Sequence, residues 1–341
     1  MTVARPDEPV APLAVFSHGE LIGDAMVKIP FLRGLRALFP DRRIVWITTE
    51  ETHLETTLAP LIAGTIDEFR SNTGIGTSPL ELLKPLPERQ RFSLVIDTQT
   101  LWWRTLIARR FRHDLFVSPC ASYRFSERKP PPDRRRPRHL MDRLFGLLEV
   151  AAGRPPPVEP LRDGVPTPPD AAAEARALLP DGATYVALAP GAGKRHKCWP
   201  LDRYIALGRE QAVRGRVPVF ILGPGETEWM TALREALPTA LFPLQDERVG
   251  EPRYTPVRTI ALTRRCAAAV ANDSGISKMF AVADIPLVTL YGPTDGDKVH
   301  PKVTAGTYLT AQRFGGTAMD RIPIAAVDGA VESLISAGHT D

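Results

Sequence analysis

Short apolar runs separated by amphipathic stretches recur along the whole chain, and this alternation is what most restricts the folds open to it. Runs this short, bounded by turn formers, read as strands buried on both faces, while the stretches between them have helical period. Strands are expected at Leu13–Ser17, Ile44–Thr48, Leu94–Asp97 and 115–117, then at Tyr185–Ala189, 217–222, 268–271 and Leu287–Tyr291. Between the first two, Ile29, Leu32, Leu35 and Phe39 share one side of a helix stopped by Pro40, with Pro30 expected to kink or restart it. Further helices are expected at about 201–214, 226–237, 257–264 and Gly275–Ala283, and a last one at 324–335. Strands and helices in this order build βαβ units and parallel sheets.

A chain of 341 residues exceeds one ordinary core, so two domains are expected. Seven prolines in residues 154–169 read as a stiff linker between an N-terminal domain, 1–165, and a C-terminal domain, 166–322. The last helix, within 323–341, is expected to pack back on the first domain. The fold class that follows is α/β, with two doubly wound Rossmann-like domains facing a central cleft. Ligands of such sheets bind at the carboxyl ends of the strands.

Composition narrows the class. Apolar residues at 43% and charged residues at 24% describe a globular chain. No apolar run approaches the roughly 20 residues that span a bilayer, and residues 1–10 lack the basic-then-apolar pattern of a secretory leader. Three scattered cysteines, Cys120, Cys198 and Cys266, build neither a disulfide framework nor a four-thiolate zinc site, which fits a reducing cytoplasm. The net charge of +4 is unevenly spread: residues 124–143 hold eight Lys/Arg against three acids, with Arg104, Arg109, Arg110 and Arg112 just upstream. That segment lacks the zinc spacing or interleaved aromatics of a nucleic-acid binder, so no nucleic-acid partner is expected. The arginines Arg104, Arg109 and Arg112 are instead a basic group just ahead of that segment, and the prolyl stretch 129–137 reads as a solvated loop.

Three loops of the second half carry the chemistry. In the segment 189–200, Gly191 and Gly193 let the backbone approach an anion, and Lys194, Arg195 and Lys197 supply charge. Leu188 and Arg195 stand where a Walker A loop needs Gly and Ser/Thr, so this is not one; a basic surface turn is the competing reading. In the segment 222–228, Gly223 and Gly225 begin a GxGxxG pattern that Glu228 breaks, and Glu226 either accepts from ribose hydroxyls or serves the dipole of a helix start. In the segment 271–278, Asp273, Ser274 and Gly275 open a helix whose free N–H groups suit a pyrophosphate, unless they merely cap it, and Lys278 follows one turn on. In the first half, Asp24 sits after His18 and Gly23 at a helix start, either an N-cap or a cleft carboxylate. Asp97 ends its strand. Asp295, Asp297 and His300 have no further ligands nearby, so no metal or cofactor is expected.

These segments, in order, resemble glycosyltransferase family 9, the heptosyltransferases. The resemblance rests on Ile22-Gly-Asp24 with Pro30 and 35–40, on 94–99, and on Pro190-Gly191 with Lys197 and Trp199-Pro200. It continues through 222–226, Asn272-Asp-Ser-Gly275 and Tyr291-Gly-Pro-Thr294. It implies a GT-B fold and inverting transfer of a sugar from a nucleotide diphosphate, typically ADP-heptose, to the lipopolysaccharide inner core. By the same resemblance, Lys197 and the 273–275 turn hold the diphosphate, Glu226 holds the ribose, and Asp24 is the general base with Asp97 in reserve. Lys278 stands where the family often has His, a point charge of different reach. The partners implied are an ADP-sugar donor and an anionic glycolipid or glycan acceptor, the latter bound by Arg104, Arg109, Arg112 and Asp97, for a cytoplasmic protein in peripheral contact with the inner membrane. The alternatives are another GT-B enzyme with a different donor, such as a nucleotide-sugar epimerase, and a catalytically silent nucleotide- or glycan-binding protein.

Overall fold

The computed structural model describes residues 11–133, 135–157 and 164–337. The chain divides into two compact units, Met1–Pro160 and Leu161–Asp341. The division falls within the predicted linker, whose residues 158–163 lie outside the described residues, as do residues 1–10 and Arg134 of the basic segment. The linker's end is not extended: Pro169 opens a helix, where its missing N–H costs nothing.

The first unit runs β1 (Leu13–Ser17), α1 (Ile22–Leu38), β2 (Ile44–Thr48), β3 (Glu68–Arg70), β4 (Arg91–Phe92), β5 (Leu94–Asp97), α2 (Trp102–Ala108), β6 (Arg112–His113), β7 (Phe116–Val117) and α3 (Leu140–Ala152). Five strands form one parallel sheet in the order β3-β2-β1-β5-β7, and β4 pairs with β6 separately. Every residue of β1, β2 and β5 is buried, as continuous apolar runs require when helices cover both faces. Pro30 does not end α1. Ile29, Leu32 and Leu35 are fully buried around it, so packing holds the helix through the lost hydrogen bond.

The second unit runs α4 (Pro169–Leu178), β8 (Tyr185–Ala189), α5 (Leu201–Val213), β9 (Val217–Phe220), α6 (Met230–Ala236), α7 (Pro256–Thr263), β10 (Cys266–Asn272), α8 (Gly275–Ala283), β11 (Leu287–Tyr291), α9 (Gly296–Val299), β12 (Gly306–Thr310) and α10 (Ile324–Ala337). Its parallel sheet has the order β12-β11-β10-β8-β9. In each unit the first strand lies inside the sheet and the order reverses beside it, the point where doubly wound sheets place their ligands. The last helix departs from expectation. Val327, Val331 and Ile335 of α10 enter the core of the second unit with Phe220, Val270 and Leu290, so its apolar face is already occupied there. Among the described residues, no helix is long and apolar enough to cross a membrane.

Asp97, expected to help bind an acceptor, is 0% exposed at the end of β5. One carboxylate oxygen accepts from Thr105 (2.7 Å) and Ser118 (2.8 Å), and the other from the Gln99 N–H (2.9 Å). It therefore ties β5 to α2 and to the segment after β7, and is neither an acceptor contact nor a reserve base. Burial pushes its carboxyl up to about 6, against the pull of those hydrogen bonds. A carboxyl that titrates higher folded than unfolded contributes stability that is complete below its unfolded value and is lost as pH rises through its folded one. Relative to Asp97→Asn, the native protein should lose up to roughly 3 kcal/mol between about pH 4 and 6.5, read by urea unfolding. Parallel stability–pH curves for the two proteins would contradict this.

Candidate functional site

Four loops leave the carboxyl ends of β8, β9, β10 and β11 in the second unit, and a single buried amide ties two of them together. Asn272, the last residue of β10, is 0% exposed. Its Nδ2 donates to the Pro190 carbonyl at 2.8 Å and the Gly191 carbonyl at 3.4 Å. Its Oδ1 accepts from the Trp199 N–H at 3.0 Å and faces the Tyr204 hydroxyl at 3.2 Å. The loop 190–200 is thereby fastened at both ends to β10. Trp199 is anchored further by its indole N–H on the Ile322 carbonyl, 2.9 Å away.

Glu226 joins the loop after β9 to the same assembly. Its Oε2 accepts from the Gly223 N–H at 2.8 Å. Its carboxylate packs directly on Gly191, and any side chain there would push it aside. Glu226 thus serves the helix start, as one reading of its sequence position expects, and also sits, half-buried, against the Gly191 backbone.

The charges are paired selectively. Lys197 reaches across 76 positions to Asp273 Oδ2 at 2.7 Å, and the Thr294 hydroxyl donates to the same oxygen at 2.8 Å. The side chains of Lys197 and Asp273 remain 29% and 18% exposed, so the ammonium is held in place without being removed from solvent. Asp273, expected as a diphosphate contact, instead positions the lysine, since a carboxylate facing a phosphate would repel it. Thr294 had no role assigned from sequence; only its place in the Tyr291–Thr294 motif marked it. Arg195 is taken by Glu228 and stacks over Trp229 at 4.4 Å. The side chains of Lys194 and Lys278 make no hydrogen bond or ion pair among the described residues. Gly193 and Gly275 are exposed, with open space where a Cβ would stand.

At the start of α8, the Ser274 hydroxyl is buried without a partner among the described residues, while Ser277 Oγ donates to the Ser274 carbonyl at 2.8 Å. The turn 273–275 therefore caps nothing through the Ser274 side chain. Its first N–H groups, a buried hydroxyl and the Lys197 ammonium stand together at one strand end, an arrangement suited to a phosphate.

In the first unit, Asp24 is the third residue of α1 rather than its cap. Leu21 occupies the cap position with no side-chain bond, and the Asp24 N–H bonds the Leu21 carbonyl at 2.9 Å. The Asp24 carboxylate is exposed and makes no hydrogen bond or ion pair among the described residues. Sequence reasoning passed over Glu20 beside it, which is 2% exposed and bound by Ser17, Lys28 (2.6 Å) and Thr52. Burial would raise its carboxyl, but the Lys28 charge and these hydrogen bonds outweigh that and hold it below its ordinary value.

The arginines separate. Arg104 lies toward the carboxyl ends of the strands, donating to the Gly76 carbonyl at 3.0 Å with its guanidinium 3.2 Å from His18 Nε2. Arg109 closes the far end of α2, bonded to the Phe125 carbonyl at 2.8 Å and paired with Glu127 at 3.6 Å. Arg112 stands in β6, which leads into the amino end of β7. The last two therefore sit toward the amino ends of the strands, away from the carboxyl-end loops where Arg104 lies, and the three do not form one group.

Comparison with known proteins bears on the family and the fold. The family model for glycosyltransferase family 9 (heptosyltransferase) matches residues 81–313. A lipooligosaccharide heptosyltransferase 2 from Haemophilus influenzae is 29% identical over 114 residues, which are 33% of this chain and 32% of that protein. The aligned part thus spans about a third of the length of that curated relative. A solved family 9 glycosyltransferase from Veillonella parvula matches with a TM-score of 0.70 at 19% identity, covering 96% of this chain and 97% of that one. An ADP-heptose lipopolysaccharide heptosyltransferase II from E. coli matches at 0.65 and 16%, covering 96% and 100%. E. coli heptosyltransferase WaaC, solved with ADP-2-deoxy-2-fluoro heptose, matches at 0.64 and 18%, covering 94% and 99%. These likenesses show that the fold is theirs.

Proposed function

The chain belongs to glycosyltransferase family 9, and from that premise we propose that it is an inverting transferase that moves a sugar from a nucleoside diphosphate to a glycan acceptor. The donor it fits best is ADP-heptose, and the acceptor a lipopolysaccharide core or related anionic glycan at the cytoplasmic face of the inner membrane. The observation that carries this reading is the Lys197 ammonium, held by Asp273 beside the start of α8. A diphosphate would lie on the first N–H groups of α8 with Lys197 against its oxygens, so that the charge building on the leaving group is met by donors already in place. Glu226 and Gly191 would border the ribose. Lys278, unpaired and one turn into α8, supplies a second cation for the same phosphates. Its place in the family pattern is often His, so the fit to a donor other than ADP-heptose is the reading to weigh against this one.

Inversion requires the acceptor hydroxyl to attack the anomeric carbon opposite the departing diphosphate, giving up its proton as the bond forms. Asp24 meets the demand on a base: a carboxylate, exposed, with both oxygens uncommitted among the described residues. Its neighbour Glu20 cannot serve, being buried and bound to Lys28.

Two measurements test the assignment. Lys197→Ala should weaken ADP binding by about 1.5–3 kcal/mol in calorimetry, the usual worth of a hydrogen bond to a charged group; an unchanged affinity would remove Lys197 from the site. Asp24→Asn should fold and bind ADP normally, because Asn occupies the same helical position, while kcat falls by roughly 10²–10⁴. Near-full turnover in that variant would mean the proton leaves by another route.

A further inference from the structure

A lysine stands where it should pair with Asp24, and it is turned elsewhere. Lys28 follows Asp24 by four residues in α1, so the two share one face of the helix. An acid one turn ahead of a lysine is the favourable order for such a pair, because helical side chains lean toward the N-terminus. Lys28 leans that way but passes Asp24 by. Its Nζ donates to Glu20 Oε1 and to Ser17 Oγ, each at 2.6 Å. It also lies 5.6 Å from the centre of the Trp46 ring, whose face attracts a cation. The Asp24 carboxylate stays exposed, with no ion pair among the described residues.

Glu20 is fitted for this hold. It stands four residues before Asp24 in the loop after β1, and its side chain is 1% exposed where that of Lys28 is 16% exposed. Ser17 and Thr52 donate to its carboxylate. Its backbone is pinned to the segment after β2, bridging to Thr52 and accepting from the His53 N–H at 3.1 Å. Burial would raise its carboxyl, but the Lys28 charge and these side-chain bonds hold it below its ordinary value, so it keeps the ammonium at neutral pH. An ion pair taken out of water does little for stability, since an apolar pair of similar volume would serve the core as well. Its use lies in where it puts the charge.

The other charged groups around these strand ends are acids or are already engaged. Glu50, Glu51 and Glu55 stand on the segment after β2 with His53, whose ring bonds Thr57 at 3.1 Å. His18, before Glu20 in its loop, faces Glu50 at 3.5 Å and the Arg104 guanidinium at 3.2 Å, and Arg104 donates to the Gly76 carbonyl. Where α3 packs on α1, at Gly34, it presents Phe145 and Leu148. Lys28 is thus the cation that Asp24 would meet if Glu20 let it go. A lysine paired with Asp24 would weaken the base twice over. It would lower the affinity of the carboxylate for a proton, and it would occupy the oxygens that the acceptor hydroxyl must reach.

We propose that Glu20 is a positioning residue for the transfer: it sequesters the Lys28 ammonium, so that the Asp24 carboxylate stays free to take the proton of the acceptor hydroxyl. The inference rests on the reading of Asp24 as the base, and its test follows the carboxyl and the turnover separately in the full chain. In Glu20→Gln the hold is weakened and Lys28 can swing to Asp24. The Asp24 carboxyl, followed by carbon-13 NMR and assigned by its absence in Asp24→Asn, should then titrate at lower pH than in the native protein. Turnover should fall roughly three- to thirtyfold at unchanged ADP affinity, and the acid limb of the pH–kcat profile should move to lower pH. Adding Lys28→Met should reverse the titration shift and recover most of the lost kcat, which a merely structural role for Glu20 would not allow. If Glu20→Gln does not fold, Glu20→Asp carries the test, since its shorter carboxylate loosens the hold without stranding a charge. It should move the titration and kcat in the same directions by less. A native Asp24 titration in Glu20→Gln, or in Glu20→Asp where only that variant folds, overturns the proposal. So does a loss of kcat that Lys28→Met fails to recover. If the titration moves and returns as stated while kcat stays native, the sequestering of Lys28 stands and the reading of Asp24 as the base falls.

Discussion

One buried amide holds the second unit's site together. Asn272 ends a central strand, and its two donors and one acceptor oxygen engage the carbonyls at the start of the 190–200 loop and the Trp199 N–H at its end. A loop rich in glycine would otherwise lose much of its entropy on meeting a ligand. Fixed at both ends, it presents Gly191 to Glu226 and Lys197 to Asp273 before any ligand arrives. An aspartate or leucine could not replace the amide, because the carbonyls need donors and the Trp199 N–H needs an acceptor. Preorganisation of this kind is what electrostatic catalysis at a leaving diphosphate demands.

The first unit is built on the opposite principle, separation of charge. Asp97 and Glu20 are buried and hydrogen-bonded, where they shape the loops after β5 and β1. Asp24, between them in sequence but exposed, keeps a free carboxylate.

The strands were readable because they are buried on both faces and so appear as continuous apolar runs. Where burial is partial, the signal fades. β3 and β12 are half-exposed edge strands with Glu68, Arg70, Thr307 and Thr310 in them, and neither announces itself. α3 was overshadowed by the basic run before it, although Leu144, Leu147, Leu148 and Ala151 repeat at helical spacing and are buried. The donor-loop residues were visible as motifs, but the bond from Lys197 to Asp273 joins loops far apart in the chain, and no local spacing reveals it. The grouping of Arg104 with Arg109 and Arg112 failed for a geometric reason. A seven-residue helix rises about 10 Å, enough to carry its last turn from one edge of the sheet toward the other.

The account depends most on Asn272 acting at a distance from the ligand it helps to bind. Calorimetric titration of Asn272→Ala with ADP addresses this directly, alongside a thermal melt to confirm cooperative unfolding. The amide is fully buried, so its loss removes no contact that ADP could make. The account predicts an affinity at least about tenfold lower, some 1.4 kcal/mol, in a protein that still melts cooperatively. ADP binding at the native affinity in that variant would show that the loop 190–200 holds its shape without the amide, and would contradict the account.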